Sequence, residues 1–259
     1  MGKLNSRREQ ILRILEKKQL TTVAELSEQL EVTTETIRKD LLCLEHAGKI
    51  VRIHGGAALA NDEGGFFPYS IRKNLNSRGK QKVAEKAVEL IREKDSILLE
   101  NSTTTAALCH ALLERPELLK TLTVVTNSFY IAQCLKSGQL CMRLLFLGGW
   151  VSETEASTLG TITTDMMQLV RVNKAFLSGA ALNRKLELTA FYERDMLFQQ
   201  KALEHADETI LLLDSTKYPA SGVLAVALVK EFSCLVSDIS FPKEQLESIR
   251  DSGVLLVKA

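Results

Sequence analysis

No apolar run in the sequence approaches the roughly 20 residues needed to cross a bilayer; "GVLAVALV" (222–229) is only strand-length. There is no Cys-x-x-Cys pair either. Cys43, Cys109, Cys134, Cys141 and Cys234 are scattered, and the four histidines lie apart from them. This spacing supports neither a disulfide framework nor a metal centre, so reduced thiols, no metal and a cytoplasmic location are expected. The opening "MGKLNSRREQILRIL" mixes charge with apolar residues at helical spacing, unlike a secretory signal. Net charge is nearly absent, with 33 Lys and Arg against 32 Asp and Glu. The balance names no partner, but its distribution is uneven. Lys3, Arg7, Arg8, Arg13, Lys17 and Lys18 face only Glu9 and Glu16 near the start.

What the chain does have is a proper core: 45% of its 259 residues are hydrophobic. That length suits a small domain followed by a larger one. Three short helices are readable at the front. Ile11, Ile14 and Leu15 recur at helical spacing after Ser6, a candidate N-cap. In "VAELSEQL", Thr22 and Glu25 have capping-box spacing and Val23, Leu26 and Leu30 form one stripe. The third helix starts at the N-cap Thr33. Its apolar side is Ile37, Leu41 and Leu44, which leaves Glu35, Arg38, Lys39 and Leu42 facing outward. Gly48 ends it, "KIVRIH" follows as a strand, and Gly55-Gly56 closes the unit.

Helix, tight link, helix and basic strand is the order of a winged helix-turn-helix. A recognition helix enters the major groove by its N-terminus, which brings Thr33, Thr34, Glu35 and Thr36 near bases or phosphates, with Arg38 and Lys39 one turn on. Arg52 and His54 on the wing are placed for the backbone or the adjacent minor groove. Double-stranded DNA is the expected partner, bound with steep salt dependence.

After the acidic, Gly-paired stretch "ANDEGGFFPYS", helical segments alternate with short apolar runs. The runs are "SILLE", "LTVVT", "RLLFLGG", "KAFLSGA", "TILLLD" and "VSDIS". Such alternation predicts an α/β domain on a mainly parallel sheet, giving the chain an α/β class overall. The expected partition is 1–58 for DNA binding, 59–76 for a linker and 77–259 for the α/β domain. Ligands of such sheets bind beyond the carboxyl ends of the strands. There lie Glu100, Ser102, Thr103 and Thr104, then Thr126 and Asn127, then Gly148 and Gly149, and finally Asp214 and Lys217. Hydroxyls and free amides at helix starts, with a lysine opposite, suit a phosphate.

Two stretches carry a family resemblance. Val32-Thr33, Thr36 through Leu41, Leu44-Glu45, Gly48 and Arg52 through Ala57 resemble the N-terminal signature of DeoR-type bacterial transcription regulators. In the second half, Thr103, Thr104, Thr126, Asn127, Gly148, Gly149, Asp214 and Lys217 keep the pattern of that family's sensor domain, which is similar to sugar-phosphate isomerases. The resemblance implies a repressor of a carbohydrate or related catabolic operon, oligomeric, binding operator DNA and controlled by a small phosphorylated sugar. It implies no cofactor and no membrane. Glu100 stands where the family has Asp, and Ser102, Ala181 and Glu187 where it has Gly. A serine resists positive φ, so Ser102 would force a rebuilt loop if that turn needs it. The alternative from another class is a sugar-phosphate isomerase or acyl-transfer enzyme with an added N-terminal module. It would use Glu100, Asp214 and Lys217 as its chemical groups.

Overall fold

The computed structural model describes residues 2–18, 20–47, 49–53, 55–59, 69–138, 142–152 and 154–259, so Gly48, His54 and Cys141 lie outside the described residues. The chain divides into two compact units, residues 1–75 and 76–259.

In the first unit, α1 runs from Gly2 to Lys18. Ser6 therefore lies inside this helix and is not its N-cap, because nothing in the preceding residues interrupts helical backbone. A short strand β1 (Leu20–Thr22) leads into α2 (Val23–Gln29). Thr22 caps α2 reciprocally: its hydroxyl accepts from Glu25 N at 3.1 Å, and Glu25 accepts from Thr22 N at 2.8 Å. The Thr22 amide, helped by the Thr21 and Thr22 hydroxyls, holds the Glu25 carboxyl below its ordinary pKa. Helix α3 (Thr34–His46) starts from the cap Thr33 and buries Ile37, Asp40, Leu41 and Leu44, while Leu42 stays exposed. Strands β2 (Ile50–Ile53) and β3 (Gly56–Leu59) complete a three-stranded antiparallel sheet in the order β1-β3-β2. Gly55-Gly56 thus begins a return strand rather than closing the unit. The two glycines meet different demands. Gly55 turns at φ +80°, and its carbonyl accepts from Val23 N at 2.7 Å. A Cβ on Gly56 would sit 2.2 Å from the Thr21 carbonyl oxygen. Part of the expected linker is helical, as α4 (Tyr69–Arg72).

The second unit opens with α5 (Ser77–Ala87), then β4 (Ser96–Leu99), α6 (Thr103–Leu113), α7 (Pro116–Leu119), β5 (Thr123–Thr126), α8 (Phe129–Ser137) and β6 (Arg143–Phe146). Two short strands, β7 (Trp150–Val151) and β8 (Thr158–Leu159), precede α9 (Thr161–Met167) and β9 (Val172–Ser178). The chain continues as β10 (Ala181–Leu182), β11 (Glu187–Ala190), α10 (Glu193–Glu204), β12 (Ala206–Leu213), β13 (Leu224–Leu228), β14 (Cys234–Ser237), α11 (Lys243–Asp251) and β15 (Leu255–Lys258). Seven strands pair in the order β15-β14-β12-β9-β4-β5-β6, all parallel.

Both faces of this sheet are covered, and the side-chain period of two sorts residues between two cores. Ile97 and Leu99 join the core under α5, α6 and α8, whereas Leu98 joins the core under α9, α10 and α11. Ile210 and Leu212 divide from Leu211 and Leu213 in the same way. Two-sided burial is the reason these strands read as continuous apolar runs. "GVLAVALV" is different: as β13 it pairs antiparallel with β11 in a separate small sheet, β10-β11-β13.

Candidate functional site

In the first unit the outward face of α3 carries Thr34, Glu35, Arg38, Lys39 and Leu42, all exposed. Thr33 and Thr36 instead close the helix start on each other, their hydroxyls 2.9 Å apart and Thr36 N donating to Thr33 Oγ1. Arg38 lies 3.5 Å from the Glu35 carboxylate, both more than half exposed, so the pair is weakly held and open to competition. Arg38 and Thr34 also line one depression of about 410 Å3 with Val23, Ala24, Gly55 and the wing residue Arg52. Arg38 and Arg52 thus border one hollow together with Thr34. His54 lies outside the described residues.

In the second unit the chain runs from β4 outward through β5 to the β6 edge, then returns beside β4 as β9 and proceeds the other way. The order reverses between β4 and β9, which is where a parallel sheet opens a crevice at its carboxyl edge. Glu100 stands at that point, 6% exposed. Its Oε2 accepts from Ser178 N at 2.8 Å and its Oε1 from Gln199 Nε2 at 2.7 Å. Ser102 caps α6, accepting from Thr105 N at 3.0 Å. Its φ of −150° is extended backbone, so the strained turn considered for a serine here does not arise. Thr103 and Thr104 form the buried first turn of α6, and Thr104 Oγ1 lies 3.5 Å from Ser178 Oγ.

The next loop is stitched to the first. Thr126 Oγ1 donates to the Leu99 carbonyl at 2.7 Å, and Asn127 Oδ1 accepts from Asn101 N at 2.9 Å. Asn127 Nδ2 donates onward to the Thr158 carbonyl. Around this seam the buried Asn101 Oδ1, Ser157 Oγ and Thr163 Oγ1 have no protein hydrogen-bond partner. Gly149 turns at φ +143° with the Thr163 hydroxyl 2.2 Å from where a Cβ would be. Gly148 has room for one.

Asp214, fully buried after β12, is tied to a different set. Its Oδ1 accepts from Asn76 Nδ2 at 2.8 Å and from the Thr216 amide and hydroxyl. Lys217 ends the same turn, half-buried. The neighbouring Ser215 N donates to Asp238 Oδ1 at 2.6 Å. Asn76, Ser178, Gln199 and the buried Lys80 escaped the sequence reading. Lys80 had a signal: it precedes Val83 and Ala84 by three and four residues, on the same buried face of α5. Ser178 and Gln199 had none. Among the described residues no cluster could hold a metal ion, and no helix is long and apolar enough to cross a membrane.

Two family models match the chain: the DeoR-like helix-turn-helix domain over residues 7–63 and the DeoR C terminal sensor domain over residues 75–239. The HTH-type transcriptional regulator GolR of Listeria innocua is 27% identical, with 96% of each chain covered. The lactose phosphotransferase system repressor of Streptococcus mutans is 30% identical over 90% of this chain and 91% of its own. The L-fucose operon activator of Haemophilus influenzae is 27% identical over 92% and 94%. A solved ribose 5-phosphate isomerase A from Methanocaldococcus jannaschii is similar over 55% of this chain and 54% of that one, at 21% identity and TM-score 0.40.

Proposed function

Because the chain belongs to the DeoR family of transcriptional regulators, we propose that it is a sequence-specific repressor of a carbohydrate or related catabolic operon. In this reading α3 reads operator DNA, Arg52 on the wing steadies the adjacent backbone, and the strand-end crevice takes a phosphorylated sugar that sets DNA affinity. The observation that carries the reading is the gathering of Arg38, Arg52 and Thr34 around one hollow beside an exposed, capped helix start. Relatives named for a lactose phosphotransferase system and an L-fucose operon support the carbohydrate assignment. One winged helix covers little DNA, so operator affinity calls for a homo-oligomer presenting two or more α3 helices. An enzymatic role is disfavoured by Glu100, whose two oxygens hold Ser178 and Gln199 in place.

The test has two arms. A duplex selected from a randomised pool by the full-length protein is bound in a gel shift by wild type and by Arg38→Ala. A loss of about 1–3 kcal/mol, roughly five- to 150-fold in affinity, is expected with the fold intact. Wild-type affinity for the variant overturns the assignment of α3. In the second arm, thermal unfolding is followed against sugar phosphates and their free sugars. A ligand at 100 times its dissociation constant adds about 2.7 kcal/mol. A shift with one phosphorylated sugar and not its free form supports the sensor. No shift at millimolar concentration removes it.

A further inference from the structure

Asp40 is a carboxylate inside the apolar stripe of α3, 1% exposed, and it is held by two arginines from α1. Arg7 Nε donates to Oδ2 at 2.5 Å and Arg8 Nε to Oδ1 at 3.1 Å. Their side chains remain 21% and 31% exposed. Each engages Asp40 through its inner nitrogen, which leaves the outer nitrogens of the fork as further donors. Two guanidinium charges on one carboxylate leave the cluster a formal +1.

Its place on α3 matters. At about 100° per residue, Asp40 lies about 200° around the helix from Arg38. Arg38 and Arg52 flank the exposed face of α3 on the wing side. Passing across that face through Leu42 and Lys39, then Cys43 and Thr36, one reaches Asp40 with its arginines on the other flank. A helix lying in a major groove about 12 Å wide meets a phosphate strand on each side.

We propose that Arg7 and Arg8, gathered on Asp40, form a second phosphodiester seat, serving the DNA strand opposite the one met by Arg38 and Arg52. Asp40 is a positioning residue in this arrangement. It fixes the two forks before DNA arrives, so little side-chain freedom is lost on contact. The inference rests on α3 being the reading helix, and its test separates the two.

The probe is a mixed-sequence 30-base-pair duplex, bound by full-length protein and followed by fluorescence anisotropy across a salt series. Non-specific binding reports phosphate contacts directly, with a slope of about 0.9 per contact in log affinity against log salt. Arg7→Gln and Arg8→Gln are each expected to lower the slope by about one, as Arg38→Gln does. Arg250→Gln, on α11 of the second unit, leaves it unchanged. Asp40→Asn removes the negative charge and leaves the cluster at a formal +2, yet it is expected to weaken binding by about fivefold or more and to lower the slope, because the forks lose their anchor. Circular-dichroism melts establish that each variant is folded. If Arg7→Gln and Arg8→Gln keep the wild-type slope while Arg38→Gln lowers it, the arginines only brace α1 to α3 and the proposal is overturned. Tighter binding by Asp40→Asn overturns the positioning role. If wild type does not bind the duplex, or Arg38→Gln keeps the wild-type slope, the reading of α3 fails and takes the proposal with it.

Discussion

Asn76 Nδ2 donates to Asp214 Oδ1 at 2.8 Å, joining the first residue of the second unit to the carboxylate that ends β12. The same asparagine accepts from Gly79 N and holds a left-handed backbone at φ 44° and ψ 44°. It therefore starts α5 and fixes the strand-end turn together.

Asn76→Gly keeps that backbone and removes its side-chain bonds to Asp214, Ser215 and Gly79, which should lower the stability of the second unit by about 1–3 kcal/mol. Asn76→Ala adds a Cβ unsuited to the left-handed region and should cost about 1 kcal/mol more. Urea unfolding monitored by circular dichroism gives both values. Equal midpoints for the two variants would show that the backbone conformation contributes nothing.

Glu100→Gln sets an amide N–H2 against a donor, either Ser178 N or Gln199 Nε2. The expected cost is about 1–3 kcal/mol in the urea midpoint, the penalty of a buried donor left without an acceptor. An unchanged midpoint would mean the carboxylate is not the structural hub its geometry indicates.

Burial pushes the Cys109 thiol up to about 12 from its ordinary 9.0, with Cys134 adding to the rise, and burial pushes Cys234 to about 11. Both thiols stay protonated in the folded state at pH values where an unfolded chain ionises them. Their contribution is complete below pH 9 and is lost as pH rises, up to about 11 for Cys234 and about 12 for Cys109. Urea midpoints at pH 8.0 and 10.0 should fall with pH more steeply in wild type than in a Cys109→Ala, Cys234→Ala protein. Parallel slopes would refute this.

Gly56→Ala drives a methyl into the Thr21 carbonyl and should destabilise the first unit by about 2 kcal/mol or more. Gly55→Ala, strained by φ rather than by space, should cost about 1–2 kcal/mol. Separate melting of the two units in a calorimeter would assign the loss; a shift in the second unit instead would contradict it.

Features set by neighbours in sequence were legible before the structure. Thr22 with Glu25 and Thr33 with Thr36 are spaced three apart, within one turn, so their caps could be read directly. The apolar runs of β4 and β12 likewise announced a sheet buried on both faces. Order reversal between β4 and β9 could not be read, because pairing across a sheet leaves no local mark. Glu100 illustrates the loss. Its partners are 78 and 99 residues away, so its sequence neighbours suggested a ligand contact rather than a buried support. Asp40 was hidden for the same reason, its arginines sitting 33 and 32 residues earlier on another helix.

Helix α3 carries two separate sets of side chains. Ile37, Asp40, Leu41 and Leu44 are buried in the frame, whereas Thr34, Glu35, Lys39 and Leu42 are exposed. The second set can change with little penalty to folding. The first set can change only in step with α1 and β2. The surface that α3 presents can therefore be rewritten by one or two substitutions on an unaltered scaffold.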